Sequence, residues 1–191
     1  MPRAIVSNPF KINVSFDKEE LKYITSVARK RQAPKDANLH LVTDKRIVKR
    51  DNVETHIIGL LGEFAFAKLL YGIVDTKNYL GGDTSKDFEV YGVTIEIKTL
   101  QGYLTFKRLS DFVADVAVLV VYNKNDYSKV QVQGWITRQD FNNCHFTDNF
   151  GYGDRPCVQP AQLLPISTLK AYCLNTRNLR YIMSKIKDTY L

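Results

Sequence analysis

Apolar and polar residues alternate strictly in two short runs either side of Tyr91–Gly92, and this alternation is the clearest structural signal in the chain. A period of two, β-branched and aromatic residues, and a glycine between the runs predict two strands joined by a tight turn. Pairing across that turn sets Val90 opposite Val93, Glu89 opposite Thr94, Phe88 opposite Ile95 and Asp87 opposite Glu96. One face is then Phe88, Val90, Val93, Ile95 and Ile97, all apolar. The other carries Asp87, Glu89, Thr94, Glu96 and Lys98. A one-residue slip would mix the two sets, which favours this register.

The same reading places elements along the rest of the chain. Ile12, Val14 and Phe16 alternate as in a strand or extended arm. Asp17 with Glu20 forms a capping box, and a helix should follow to about Gln32, burying Leu21, Ile24 and Val27/Ala28, with Pro34 ending it. Arg29, Lys30 and Arg31 suit its C-terminal end. A second helix should start at Asp51, capped by Glu54, and run to about Tyr71 before Gly72. It is apolar on much of its surface, so it packs on more than one side. Gln101–Ser110 is ambiguous between helix and irregular structure. Ala114–Tyr122 is apolar on both faces, the mark of a fully buried strand. Asn123–Asp126 turns the chain, Lys129–Thr137 alternates around Trp135, and Thr137 with Asp140 opens a short helix carrying Phe141. Residues 143–160 read as loop. The end reads as helical, with Ser167 and Thr176 as caps and Leu179, Ile182, Met183 and Ile186 at core spacing in the last helix.

Composition narrows the class without deciding it. The 191 residues suffice for one domain with a sizeable core. A net charge of +7 suits a polyanionic partner. Lys45, Arg46, Lys49 and Arg50 concentrate part of that charge between the two helices, as either a solvated connector or an arm that contacts phosphates, and Lys107 adds to it. Cys144, Cys157 and Cys173 show no CxxC pair, which reads as reduced thiols in a cytoplasmic setting rather than a disulfide framework or zinc knuckle. No apolar run approaches the length of a membrane span, and no signal peptide is evident.

The polar hairpin face is chemically odd. Two opposed carboxylates repel unless something neutralises them. A hard divalent cation would do so, since Mg²⁺ takes oxygen ligands and is commonly held by one or two carboxylates. The plain alternative is a solvated face that Lys98 screens. Glu63 is the second oddity, a carboxylate in the middle of an apolar helix. Gly59 lies one turn before it and Gly62 beside it. Glycine inside a helix costs about 1 kcal/mol relative to alanine, so two here suggest that backbone or ligand comes close. The loop Gly151–Pro156 carries aromatic and charged residues suited to stacking or phosphate contact, although such loops more often have no such role.

Taken in order, the chain offers an acidic helix, Asp87, Glu96–Ile97–Lys98 on a hairpin, a buried strand and a Gly134–Trp135–Ile136–Thr137 strand. This resembles the PD-(D/E)xK nuclease superfamily, which includes restriction endonucleases, Holliday-junction resolvases and small phage enzymes. The likeness covers residues 51–142. The resemblance implies an α/β fold with a restriction-endonuclease-like core, a mixed central sheet flanked by helices. Residues 1–50 would be a helical and basic extension and 143–191 a loop with C-terminal helices, all in one domain. It implies Asp87 and Glu96 as ligands of Mg²⁺ (Mn²⁺ a substitute), Lys98 as catalytic lysine, Glu63 as a residue that binds or orients the metal, and Thr99 and Gln101 as phosphate contacts. It implies phosphodiester hydrolysis of DNA, in the cytoplasm or, for a phage-type member, in the host's; with no ring-forming or strand-threading signature visible, endonucleolytic cleavage is expected rather than exonucleolytic. A homodimer that cuts both strands is left open. The superfamily's name places proline before the aspartate, where this chain has Lys86. Asp83 rivals Asp87 for the position, and Asp87 is preferred because it alone comes opposite Glu96.

Overall fold

A computed structural model describes residues 8–37, 52–70, 74, 86–151 and 153–190. The architecture is mixed α/β. In chain order the elements are β1 (Ile12–Ser15), α1 (Lys18–Ala37), α2 (Asn52–Leu70), β2 (Phe88–Val90), β3 (Val93–Leu100), β4 (Leu104–Thr105), β5 (Val116–Asn123), β6 (Asp126–Thr137), α3 (Arg138–Cys144), β7 (Phe146–Asn149), β8 (Asp154–Val158) and α4 (Leu169–Tyr190). Five strands form the main sheet in the order β1-β6-β5-β3-β2, and β4-β8-β7 form a smaller one. Among the described strands β3 and β5 run parallel and the other pairs are antiparallel.

β5 shows why the main sheet is buried on both sides. Its even residues Val116, Val118 and Val120 join one core with Ile24, Val27, Leu60, Leu61, Phe66, Ile95 and Ile97. Its odd residues Ala117 and Leu119 join a second core with Leu104, Phe106, Phe112, Ile136 and Phe141. Helices α1 and α2 cover the first face, whereas β4, α3 and β8 cover the second. The continuous apolar run in the sequence is the direct result.

β6 needs a device to serve both cores. Leu119 pairs with Gly134 and Val120 with Val132, so Gln133 is an extra residue, a β-bulge. The bulge reverses the alternation: Val130 and Val132 face the first core, and beyond it Trp135 faces that core while Ile136 turns to the second. Gly134 has φ +146°, and a Cβ there would lie 2.4 Å from the Leu164 carbonyl oxygen, so glycine is required. Trp135 is anchored by its indole N–H, which donates to Pro165 O and Thr168 Oγ1 at 3.0 Å each.

Several expectations need correction. Pro34 does not end α1, which continues to Ala37. A proline removes one N–H from the ladder, yet flanking turns keep the helix going. Residues 143–160 are not loop: β7 and β8 form a hairpin there, and the ambiguous 101–110 stretch supplies β4 to pair with it. β6 starts at Asp126 rather than Lys129. The C-terminal helices are one helix, α4, preceded by a 3₁₀ turn at Ile166–Thr168. Thr176 lies inside α4, and Leu179 is 63% exposed because this part of the helix has no core beneath it. The Asp17–Glu20 capping box forms as expected, each backbone N–H donating to the other's carboxylate at 2.9 Å. The proposed cap at Asp51 lies outside the described residues. Among the described residues no helix is long and apolar enough to cross a membrane.

Candidate active site at the edge of the main sheet

The hairpin pairs as its alternation predicts, Val90 with Val93, Glu89 with Thr94 and Phe88 with Ile95. Tyr91 (φ 51°) and Gly92 (φ 77°) make the left-handed turn that matches strand twist. At its other end β2 begins only at Phe88, while β3 runs on to Leu100. The expected Asp87–Glu96 pair is therefore not a rung of the ladder. Asp87 instead folds against the edge of β3 beyond the end of β2. Its own N–H donates to Ile95 O at 2.9 Å, and its Oδ2 accepts from the Ile97 N–H at 2.6 Å. A carboxylate thus stands where the next residue of β2 would have been.

That position explains which groups surround it. Side chains of β3 alternate, so Glu96 and Lys98 emerge on the second-core face, whereas Ile97 faces α2. A carboxylate on the strand's edge is reached from both faces. Glu63 from α2 and Glu96 from β3 both raise the Asp87 pKa by charge repulsion, and Lys98 lowers it. Burial is the largest influence, and together they push this carboxyl from its ordinary 3.8 up to about 7, despite the Ile97 hydrogen bond. Lys98 forms an ion pair with Glu96. Its ammonium also lies 5.0 Å from the centre of the Phe106 ring, a cation–π contact that holds it over the second core. Four of the residues singled out from sequence, Glu63, Asp87, Glu96 and Lys98, thus converge from α2, the approach to β2, and β3.

Glu63 has a partner that the sequence reading missed. Arg31 of α1 grips it with two parallel hydrogen bonds, Nη1 to Oε1 and Nη2 to Oε2, both 3.1 Å, with both side chains nearly out of solvent. The signal was present: Arg31 falls seven residues after Ile24 and three after Ala28, on the buried stripe of α1. The glycine reading divides in two. Gly62 sits where α2 crosses β3, and a Cβ there would lie 2.0 Å from Thr99 Oγ1 and 3.0 Å from Ile97 Cγ2. Gly59, one turn earlier, faces open space.

The parallel register of β3 on β5 is locked near its start. Asp115 accepts from the Thr94 N–H at 2.9 Å and from Thr94 Oγ1 at 3.0 Å, and the Asp115 N–H donates to that hydroxyl at 2.8 Å. Burial would raise the Asp115 pKa, but these bonds and Arg180 outweigh it and hold the carboxyl below its ordinary value.

Of the expected phosphate contacts, Thr99 is half-buried against Gly62, Gln101 is exposed at the end of β3, and Lys107 is exposed. Lys45, Arg46, Lys49, Arg50 and the rival Asp83 lie outside the described residues. Among the described residues no group of three or more His, Cys, Asp or Glu side chains is gathered as a metal-ligand set. With Glu63 held by Arg31, Asp87 and Glu96 remain as oxygen donors. Two carboxylates without nitrogen or sulfur suit Mg²⁺ or Mn²⁺ better than zinc. Comparison of the chain with protein-family models, with curated proteins and with solved structures gives no match.

Proposed function

We propose that this protein is a metal-dependent nuclease that hydrolyses phosphodiester bonds, a DNA endonuclease on a restriction-endonuclease-like core. The observation that carries the reading is Asp87. Its carboxyl, on the β3 edge beyond the end of β2, is raised to about 7, by burial first and then by the charges of Glu63 and Glu96. A cation bound beside it would offset both the burial and the repulsion. The order of elements supports the same reading: an acidic helix, a short hairpin bearing Glu-x-Lys, a buried strand parallel to it, then an antiparallel strand carrying Trp135.

Asp87 and Glu96 would hold the cation, and Glu63 would bear on it through Asp87. Bound there, Mg²⁺ would polarise a phosphoryl oxygen and acidify a water molecule. Lys98, released from Glu96 as that carboxylate turns to the cation, would face the phosphate and stabilise its developing negative charge. Phe106 limits where the ammonium can swing. Asp87 keeps its place through Ile97, and Arg31 fixes Glu63 at a set distance from it.

One observation favours a second reading, a catalytically inactive nucleic-acid-binding module on the same fold. The Arg31 clasp occupies both oxygens of Glu63, as a site that has lost its metal would allow. A substrate panel separates the two. Single-stranded, duplex and branched DNA, and RNA, are incubated with Mg²⁺ or Mn²⁺ and with chelator. Cation-dependent cleavage of DNA is expected, with Glu96→Ala and Lys98→Ala each reducing it about a hundredfold or more. Cleavage of no member, or cleavage indifferent to Glu96→Ala, overturns the enzyme; binding without cleavage then leaves the module.

A further inference from the structure

Next to the acidic cluster is a cavity of about 620 Å³ that the proposed chemistry does not use. Its wall includes Gly59, Thr99, Gln101, Tyr103, Phe150 and Arg155. It adjoins the cluster along two elements at once. Thr99 follows Lys98 on β3, and Gly59 precedes Glu63 by one turn of α2, about 6 Å along the axis. The size falls within the usual range for small-molecule sites.

Three features of the wall point to a ligand. The first is aromatic. Phe150 is 39% exposed, and its ring lies 6.1 Å from that of Tyr103. Tyr103 is itself buried and held edge-on by Phe146 at 5.4 Å, so the outer ring has a fixed backing. The second is polar. Gln101 and Arg155 bring an amide and a guanidinium to the wall. The third is the floor. Among the described residues nothing lies within 4 Å of where a Gly59 Cβ would be, and Gly59 itself lines the cavity. A flat ring can pass over glycine where any side chain would block it.

We infer that this cavity takes one unpaired nucleotide of a DNA strand lying across the Asp87–Glu96–Lys98 edge, an assignment that rests on the nuclease reading. The base stacks on the Phe150–Tyr103 wall above Gly59. Gln101 bonds the base edge, and Arg155 meets a neighbouring phosphate. A base inside a duplex cannot enter, so the cavity selects strands with an unstacked residue, at single-stranded, branched or flapped positions.

The test uses the full chain in chelator, so that no strand is cut. A short oligodeoxynucleotide carries 2-aminopurine at one position, either single-stranded or paired in duplex. Binding of the single strand is expected to change the probe's fluorescence, and binding of the duplex is not. Phe150→Ala and Gly59→Leu should each abolish the change and weaken single-strand binding about tenfold to a hundredfold. Gly59→Leu should unfold no more readily than wild type, since leucine is the better helix former and enters open space. A change retained in Gly59→Leu, or equal for the duplex, overturns the inference. So does displacement of the strand by an equal concentration of free deoxyadenosine monophosphate, which would make this a mononucleotide site. Adding Mg²⁺ to the same samples reads cleavage separately. Cleavage without a fluorescence change removes the pocket and leaves the nuclease. A change lost in Gly59→Leu, with no cleavage by wild type, removes the nuclease and leaves a nucleotide-binding site.

Discussion

Gly59 and Gly62 lie three residues apart on α2, and the same substitution should act in opposite directions at the two. At Gly59 alanine meets open space, so the only effect is the gain in helix propensity, about 1 kcal/mol of added stability. At Gly62 the new methyl group would lie 2.0 Å from Thr99 Oγ1 and 3.0 Å from Ile97 Cγ2. The first distance is far inside van der Waals contact. Thr99 is β-branched, and its stiff χ1 cannot swing aside freely. Relief requires α2 to lift from β3, and overpacking of this kind typically costs about 1–3 kcal/mol. After the propensity gain, Gly62→Ala should be less stable than wild type by up to about 2 kcal/mol, and less stable than Gly59→Ala by about 1–3 kcal/mol. Urea unfolding followed by circular dichroism measures both, provided the slope of free energy on urea stays constant. Thr99→Ala identifies the cause. In that background the clashing oxygen is absent, and the cost of Gly62→Ala should fall by about 1 kcal/mol or more, a coupling that two independent sites would not show. Equal stability of Gly59→Ala and Gly62→Ala, or a Gly62→Ala cost unchanged by Thr99→Ala, would refute the close crossing. Because Glu63 follows Gly62 directly, the same lift should also reduce cleavage on the proposed nuclease reading.

Two further outcomes follow from the acidic cluster. The Asp87 carboxyl is held up at about 7 in the fold and returns to its ordinary 3.8 on unfolding. Its contribution to stability is therefore complete below about pH 4 and is lost as pH rises through 7. Asp87→Asn keeps an acceptor for the Ile97 N–H without the charge, so at pH 8 it should be more stable than wild type by up to roughly 4 kcal/mol, and at pH 4 by nothing. Chemical denaturation across pH checks this; a difference that does not vary with pH refutes it. Arg31→Gln leaves Glu63 nearly buried beside Asp87 without its clasp, and should cost about 2–3 kcal/mol at neutral pH. Adding Glu63→Gln should recover part of that loss, and strictly additive effects of the two substitutions would show that the pair is not coupled.

The parts of the molecule legible in the sequence are those where local pattern and tertiary burial agree. The β2–β3 hairpin could be read to the residue because alternation and turn chemistry both specify its register. β5 could be read because a strand between two cores has no polar face. Arg31 could have been read from its place on the stripe of Ile24 and Ala28, but with Arg29 and Lys30 it reads as a basic run suited to the helix C-terminus. The setting of Asp87 was not legible. Extending the hairpin register placed it across from Glu96, and where β2 stops depends on how the chain arrives at Lys86, not on alternation. β7–β8 was obscured by Pro156 and by the glycines and charges around it, which ordinarily mark a loop. Pro156 is tolerated because the hairpin's own contacts and the Phe106 N–H, which donates to its carbonyl at 3.2 Å, hold the strand in place. The bulge at Gly134 escaped because a single glycine in an alternating run announces neither which residue is extra nor which face gains. Leu179 shows the converse error: core spacing on a residue that α4 leaves 63% exposed, while its neighbours Arg177 and Arg180 are the ones that reach the β2–β3 turn.

The rim of β3, unpaired among the described strands beyond β2, has a consequence for solubility. Strand edges with free amides recruit other strands, and the outer strands of the main sheet are short, four residues in β1 and three in β2. Beyond the end of β2, the Asp87 carboxylate ties up the Ile97 amide and places a charge-bearing group in the path of any incoming chain. A chain with alanine in its place would leave that amide bare and hydrophobic neighbours beside it, and such a variant should self-associate, while asparagine keeps the amide occupied. The group that crowds the cluster with charge thus also keeps one molecule from zipping onto the next.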